Sequence, residues 1–188
     1  MAEVLLFHHA QGLTAGVLEF AAELRGSGHT VHTPDLYEGE TFSKLDDGVA
    51  HMKEIGFETL IERSQAAAAK LPDRLVYSGM SMGVGPAQML AQSRAGATGA
   101  LLLYGALPAS EFGPWPEGVK LQVHAMEGDP WFKDDVEAAR ELVQLAGGEL
   151  FLYPGDKHLF ADNSLPDYDE TAAALLKQRA LEFLDGIG

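Results

Sequence analysis

Leu75-Val76-Tyr77-Ser78-Gly79-Met80-Ser81-Met82-Gly83 decides the fold of this chain. The stretch holds a G-x-S-x-G pentapeptide, directly behind an apolar run and in front of a segment with helical patterning. That order reads as strand, sharp turn, helix. A serine on such a turn projects its hydroxyl above the edge of a sheet, with backbone strain at the serine itself. Any Cβ at positions 79 or 83 would crowd the turn. The bare pentapeptide is a weak signal, and the competing reading is a glycine-rich loop with an exposed serine. Its place at the end of a strand favours the nucleophile.

Working outward, apolar runs alternate with helical stripes. Val4-Leu5-Leu6-Phe7 has the pattern of a strand buried on both faces. Val17, Phe20, Ala21 and Leu24 recur at i, i+3, i+4 and i+7, a helix ended by Gly26 and Gly28. Thr30-Val31-His32-Thr33 is a second strand, stopped by Pro34, and residues 35–48 read as a loop. One helix is expected from about Gly48 to Lys70, with Gly56 as a weak point and Phe57, Leu60, Ile61, Ser64, Ala68 and Leu71 inward. Behind Ser81 a helix runs to about Arg94, with Pro86 near its first turn. The runs 100–104, 119–125 and 150–153 are the remaining strands, and helices are expected over 136–146 and 170–184. Pro108, Gly113, Pro114 and Pro116 make 105–118 a surface loop. Such alternation predicts an α/β fold, a mainly parallel six-stranded sheet with helices on both faces, in one domain over residues 1–188.

Composition narrows the chemistry. There is no cysteine, which excludes disulfides, thiolate catalysis and thiolate-bound metals. The seven histidines lack H-E-x-x-H-type spacing, so no metal is expected, and no cofactor. A formal net charge of -15 disfavours nucleic acid. It also favours neutral or cationic small substrates over anionic ones unless a local basic pocket intervenes, but simple solubility is the preferred reading of the acidity over a substrate signal. No apolar stretch approaches the roughly 20 residues of a membrane span. No basic segment precedes the first apolar run, so a signal peptide is not expected and the cytoplasm is the expected compartment.

In a parallel sheet the site lies at the carboxyl ends of the strands. The first strand ends in His8-His9-Ala10-Gln11-Gly12, the third at Ser81, the fifth in Glu127-Gly128-Asp129 and the sixth in Pro154-Gly155-Asp156-Lys157-His158. Serine, aspartate and histidine thus arrive in the chain order of an α/β-hydrolase triad. A serine hydroxyl needs a base to take its proton, and an imidazole suits that role near neutral pH. His158 is the candidate base. Asp129 is the candidate for its remote nitrogen, ahead of Asp134, Asp135, Asp156 and Asp162. Negative charge developing on the substrate carbonyl needs backbone amides already aimed at it. Met82, next after the serine, supplies one, and Ala10 or Gln11 in the first loop the other. His8 is read as a solvent-facing strand end and His9 as a pocket residue.

These loci resemble the dienelactone hydrolase family (carboxymethylenebutenolidase-like proteins). Pro34-Asp35-Leu36-Tyr37 is similar to the family's loop after its second Rossmann-like strand, and Leu103-Tyr104-Gly105 to its strand end behind the elbow. Gly128-Asp129 is similar to its acid loop, and His158-Leu159-Phe160-Ala161 to its histidine loop. The resemblance implies a hydrolase of small esters or lactones, and it puts Ala10 at the second oxyanion amide. Ser81 stands where the namesake enzymes have cysteine, His9 where they have an acidic residue, and Asp162 where they have a substrate-binding arginine. The family's usual amino-terminal strands have no counterpart here. An anionic ligand would then meet Asp162, so dienelactone itself is not the expected substrate.

Tyr37, Phe42, Trp115, Trp131, Phe132, Leu159 and Phe160 are expected at the same sheet edge as an apolar pocket, rimmed by residues 163–167. Within this set His9, Gln11, Tyr37, Trp131 and Leu159 are the candidate substrate contacts. The leading expectation is a serine hydrolase acting through an acyl-enzyme. Thioester cleavage or acyl transfer by the same groups, and a binding module with a vestigial triad, are the alternatives. The sequence does not speak to oligomeric state.

Overall fold

The computed structural model describes residues 1–187. Six strands form one sheet: β1 (Glu3–Phe7), β2 (Thr30–His32), β3 (Leu75–Met80), β4 (Ala97–Leu103), β5 (Lys120–Met126) and β6 (Glu149–Tyr153). Their order is β2-β1-β3-β4-β5-β6, and every neighbouring pair is parallel. The winding direction reverses between β1 and β3. Both strands therefore open their carboxyl ends onto one crevice, the place where open parallel sheets bind ligands.

Alternation along the strands sends side chains to two cores. Val4 and Leu6 of β1 join Val76 and Met80 of β3 and Leu101 and Leu103 of β4 on one face. Helices α1 (Ala15–Gly26) and α6 (Glu170–Asp185) cover that face through Val17, Phe20, Leu24, Leu176, Ala180 and Leu184. Leu5, Phe7, Leu75, Tyr77, Ala100 and Leu102 point the other way. They meet α3 (Phe57–Ala68), α4 (Val84–Ser93) and α5 (Val136–Ala146). Burial on both faces accounts for strands that read as continuous apolar runs. The alternation within β5 does not mark a wet face. Gln122 and His124, between its apolar residues, are buried, and the His124 ring bonds the Tyr153 hydroxyl and the Gln122 amide at 2.8 Å each.

The helix expected from Gly48 to Lys70 is two helices. The first, α2 (Leu45–Ile55), starts earlier than expected and shortens the preceding loop. Gly56, at φ 85° and ψ 141°, ends it and turns the chain into α3. Glycine takes that backbone at no steric cost. Leu60, Ser64 and Ala68 are buried as their spacing predicts. Phe57 is not: the break swings its ring away from the core, 48% exposed, over Gly85 of α4.

Candidate active site

The turn after β3 is as tight as its glycines require. A Cβ on Gly79 would overlap the Gly83 carbonyl, and one on Gly83 would lie 2.7 Å from the His8 carbonyl oxygen. Residues 81–83 form a single 3-10 turn leading into α4. Ser81 sits at its head with φ 50°, a left-handed backbone that costs a non-glycine residue about 1–3 kcal/mol. This directs its hydroxyl over the sheet edge.

Ser81 Oγ lies 2.7 Å from Nε2 of His158, and Nδ1 of His158 lies 2.7 Å from Oδ2 of Asp129. With the imidazole neutral, the serine hydroxyl donates to Nε2 and the Nδ1–H donates to the carboxylate. The other oxygen of Asp129 accepts the Trp131 N–H at 2.8 Å, which fixes the carboxylate plane. Asp129 and His158 are both buried. Tyr104, at the end of β4, supports the histidine loop: its hydroxyl accepts the Ala161 N–H at 3.2 Å, and its ring stands 5.9 Å from that of His158. Tyr104 also adopts a positive φ, 70°.

The loop after β1 is held by buried polar contacts. His8 does not face solvent. Its Nδ1–H donates to the His9 carbonyl at 2.8 Å and its Nε2 accepts the Leu36 N–H at 3.0 Å. Burial pushes this imidazole down to about 4. His9 accepts the Gln11 N–H at Nδ1 and donates from Nε2 to Asp162 at 2.8 Å. Asp162 also accepts from the Thr14 hydroxyl at 2.5 Å and from Ser164 N–H and Oγ–H at 2.8 and 2.6 Å. Burial alone would raise the Asp162 carboxyl. The hydrogen bonds from His9, Ser164 and Thr14 outweigh it and hold the group below its ordinary range. The carboxylate is spent on these contacts, so a ligand in the crevice does not meet it, contrary to the expectation from sequence.

A cavity of about 420 Å³ opens beside Ser81 and His158. Of the expected contacts only Trp131 lines it, together with Met82 beside the serine. His9, Gln11, Tyr37 and Leu159 are buried and do not line it. The Gln11 side chain donates to the Phe42 carbonyl at 2.9 Å, and the Tyr37 hydroxyl contacts Met82 Sδ at 3.1 Å. Phe132 and Phe160 are core residues, Phe42 and Trp115 pack against the core, and residues 163–167 stay off the rim. The wall is instead built by Met52, Phe57, Val84, Leu107 and Phe112, with Glu111 and Asp135 as its acidic members. Spacing puts Phe57 on a buried helix face, because a residue spacing does not show where a helix breaks. Positions 107, 111 and 112 lie in the loop after β4 and carry no periodic signal. Among the described residues no cluster of His, Asp and Glu is arranged to hold a metal ion, and no helix is long and apolar enough to cross a membrane.

Solved structures share this architecture. A dienelactone hydrolase-like promiscuous phosphotriesterase from metagenomic libraries superposes with a TM-score of 0.77 at 19% identity, over 100% of this chain and 87% of that one. A putative dienelactone hydrolase from Klebsiella pneumoniae subsp. pneumoniae MGH 78578 gives 0.76 at 19% identity, over 98% and 87%. A dienelactone hydrolase from Anabaena variabilis ATCC 29413 gives 0.66 at 15% identity, over 100% and 87%. At such identities the likeness is one of fold. No curated protein sequence matches the chain. The family model for the dienelactone hydrolase family matches residues 1–188. Since that match spans the full sequence and the sheet has the α/β-hydrolase architecture, the chain belongs to the dienelactone hydrolase family and is a hydrolase of the α/β type.

Proposed function

We propose that the protein is a serine hydrolase that cleaves a small carboxylic ester or lactone through an acyl-enzyme on Ser81. The observation that carries this is the unbroken hydrogen-bond chain from Ser81 through His158 to Asp129, opening on an apolar cavity. His158 takes the serine proton as Oγ attacks the carbonyl carbon. Asp129 holds the imidazole in the right tautomer and stabilises the imidazolium that forms. His158 then gives the proton to the departing alkoxide, and a water molecule activated by the same imidazole frees the acid.

The oxyanion is met by two amides. Met82 N–H lies in the first turn of a helical segment, where amides have no helical acceptor. In the first loop Gln11 N–H is bound to His9 Nδ1 and Gly12 N–H to the His9 carbonyl. That favours Ala10 N–H as the second donor. The cavity suits a small ester in size and wall chemistry. The absence of cysteine fits a reducing compartment, and we place the protein in the cytoplasm, acting on a small molecule without nucleic acid or membrane partners.

Turnover of short p-nitrophenyl esters and simple lactones by the protein and by Ser81→Ala tests the reading, alongside fluorophosphonate labelling. Loss of turnover and of label in a folded Ser81→Ala supports it. Undiminished turnover removes Ser81 from the role.

A further inference from the structure

The cavity beside Ser81 is charged with one sign only. Its walls are mostly apolar, and the two formally charged side chains on them besides His158 are Glu111 and Asp135. Among the described residues no lysine or arginine lines it. Asp135 stands at the head of α5, yet its side chain caps no helical amide. It receives a long hydrogen bond, 3.4 Å, from Ala106 N–H. Half-buried, it is desolvated, and burial outweighs the His158 imidazole, the basic group that acts on it, and raises its carboxyl above the usual range. A carboxylate in that position is stabilised by any cation that enters. The rest of the wall suits the same visitor. Trp131 is 49% exposed, with its ring 5.8 Å from that of His158, and Phe57 and Phe112 complete an aromatic lining. Aromatic faces attract ammonium groups and tolerate their methyl substituents.

We propose that this pocket selects esters that carry an ammonium group, held by Asp135 and Glu111 against the aromatic wall. This rests on the serine hydrolase reading above and names the substrate class of that site. An anionic acyl or alcohol portion is repelled by the same two carboxylates. Asp135 is then a specificity residue, not a member of the proton-transfer chain.

The test compares an ester with its uncharged carbon isostere: acetylcholine against 3,3-dimethylbutyl acetate. At low ionic strength kcat/KM is expected to favour the cationic ester by tenfold or more. That ratio should shrink with added salt, as exposed electrostatics are screened. In Asp135→Asn/Glu111→Gln the ratio should fall to about one. A role of Asp135 confined to steadying the His158 imidazolium would lower both esters equally and leave the ratio intact, which overturns the proposal. So does equal turnover of the two esters by the unaltered protein. Should the double variant fail to fold, the exposed Glu111→Gln alone, with the salt series, decides the matter: an unmoved ratio overturns the proposal. If neither ester is hydrolysed, the hydrolase reading is what fails for these substrates. The pocket is then judged by binding to Ser81→Ala, followed by tryptophan fluorescence with choline against 3,3-dimethyl-1-butanol. Tighter choline binding upholds the proposal, and equal binding overturns it.

Discussion

Asp162 receives a hydrogen bond from His9 Nε2 at 2.8 Å, across 153 positions of sequence, with both side chains buried. The contact ties the loop after β1 to the segment that follows His158. Thr14, which caps α1 by accepting the Val17 N–H, donates to the same carboxylate. One buried acid thus coordinates the proposed oxyanion loop, a helix start and the histidine loop.

Removing that acid should cost both stability and turnover. Asp162→Ala leaves His9, Thr14 and Ser164 without their acceptor in a dry site, and a loss of about 3–5 kcal/mol is expected in denaturant unfolding. Asp162→Asn, which keeps the shape and part of the bonding, should lose less. If the loop positions an oxyanion amide, kcat falls in the Asn variant while KM moves little. The ionised acid also sets a pH limit. Because its carboxyl is held below 3.8, its contribution is full above that value and is lost as pH falls through the depressed one.

Two buried histidines predict acid lability at higher pH. Burial pushes His8 down to about 4 and His124 down to about 3, against 6.5 in the unfolded chain. Between these limits the unfolded chain binds protons that the folded chain refuses. Stability is therefore complete above about 6.5 and declines as pH falls toward 4, with a slope of about 3 kcal/mol per pH unit from the two groups. His124→Gln should lower that slope by about 1.4 kcal/mol per unit, as read from unfolding curves at a series of pH values.

The strained serine gives a comparison free of any substrate. Ser81→Ala keeps a Cβ at φ 50°, whereas Ser81→Gly releases it. The glycine variant should be more stable than the alanine variant by about 1 kcal/mol, although glycine ordinarily destabilises. Thermal unfolding of the pair measures this. Equal stability would mean the turn carries no strain at that residue.

Tyr104 should matter through its hydroxyl. Tyr104→Phe leaves the Ala161 N–H buried without an acceptor, at a cost of about 1–3 kcal/mol. The histidine loop loosens with it, so kcat is expected to fall severalfold for an uncharged p-nitrophenyl ester. Retained stability and kcat would show that the loop stands without this contact.

Much of the architecture is legible along the chain because the strands are buried on both faces. Continuous apolar runs such as 4–7 and 100–103 are too short for core helices and too apolar for a wet surface, which leaves a covered strand. The pentapeptide around Ser81 marks where β3 ends. Its two glycines announce a turn that no side chain fits, so local sterics alone single out the serine. The aspartate and histidine follow from what the later strands deliver at their carboxyl ends.

Periodicity does not show what depends on packing between distant segments. His8 looks like a polar strand end and His9 like a pocket residue, and only the approach of Leu36 and Asp162 makes both of them interior residues. Tyr37 and Leu159 are apolar and near the site, but one wall of side chains has an inner and an outer face, and sequence does not say which. Phe57 joins the cavity because Gly56 bends the chain there, and Asp135 because α5 begins against the loop after β4. By itself the sequence determined the order of the strands and, but for the break at Gly56, of the helices, and which residues stand at the strand ends, since these follow from local sterics and burial. The tertiary structure alone decided which side chains line the cavity, because a pocket wall is assembled from segments that meet only after the sheet has formed.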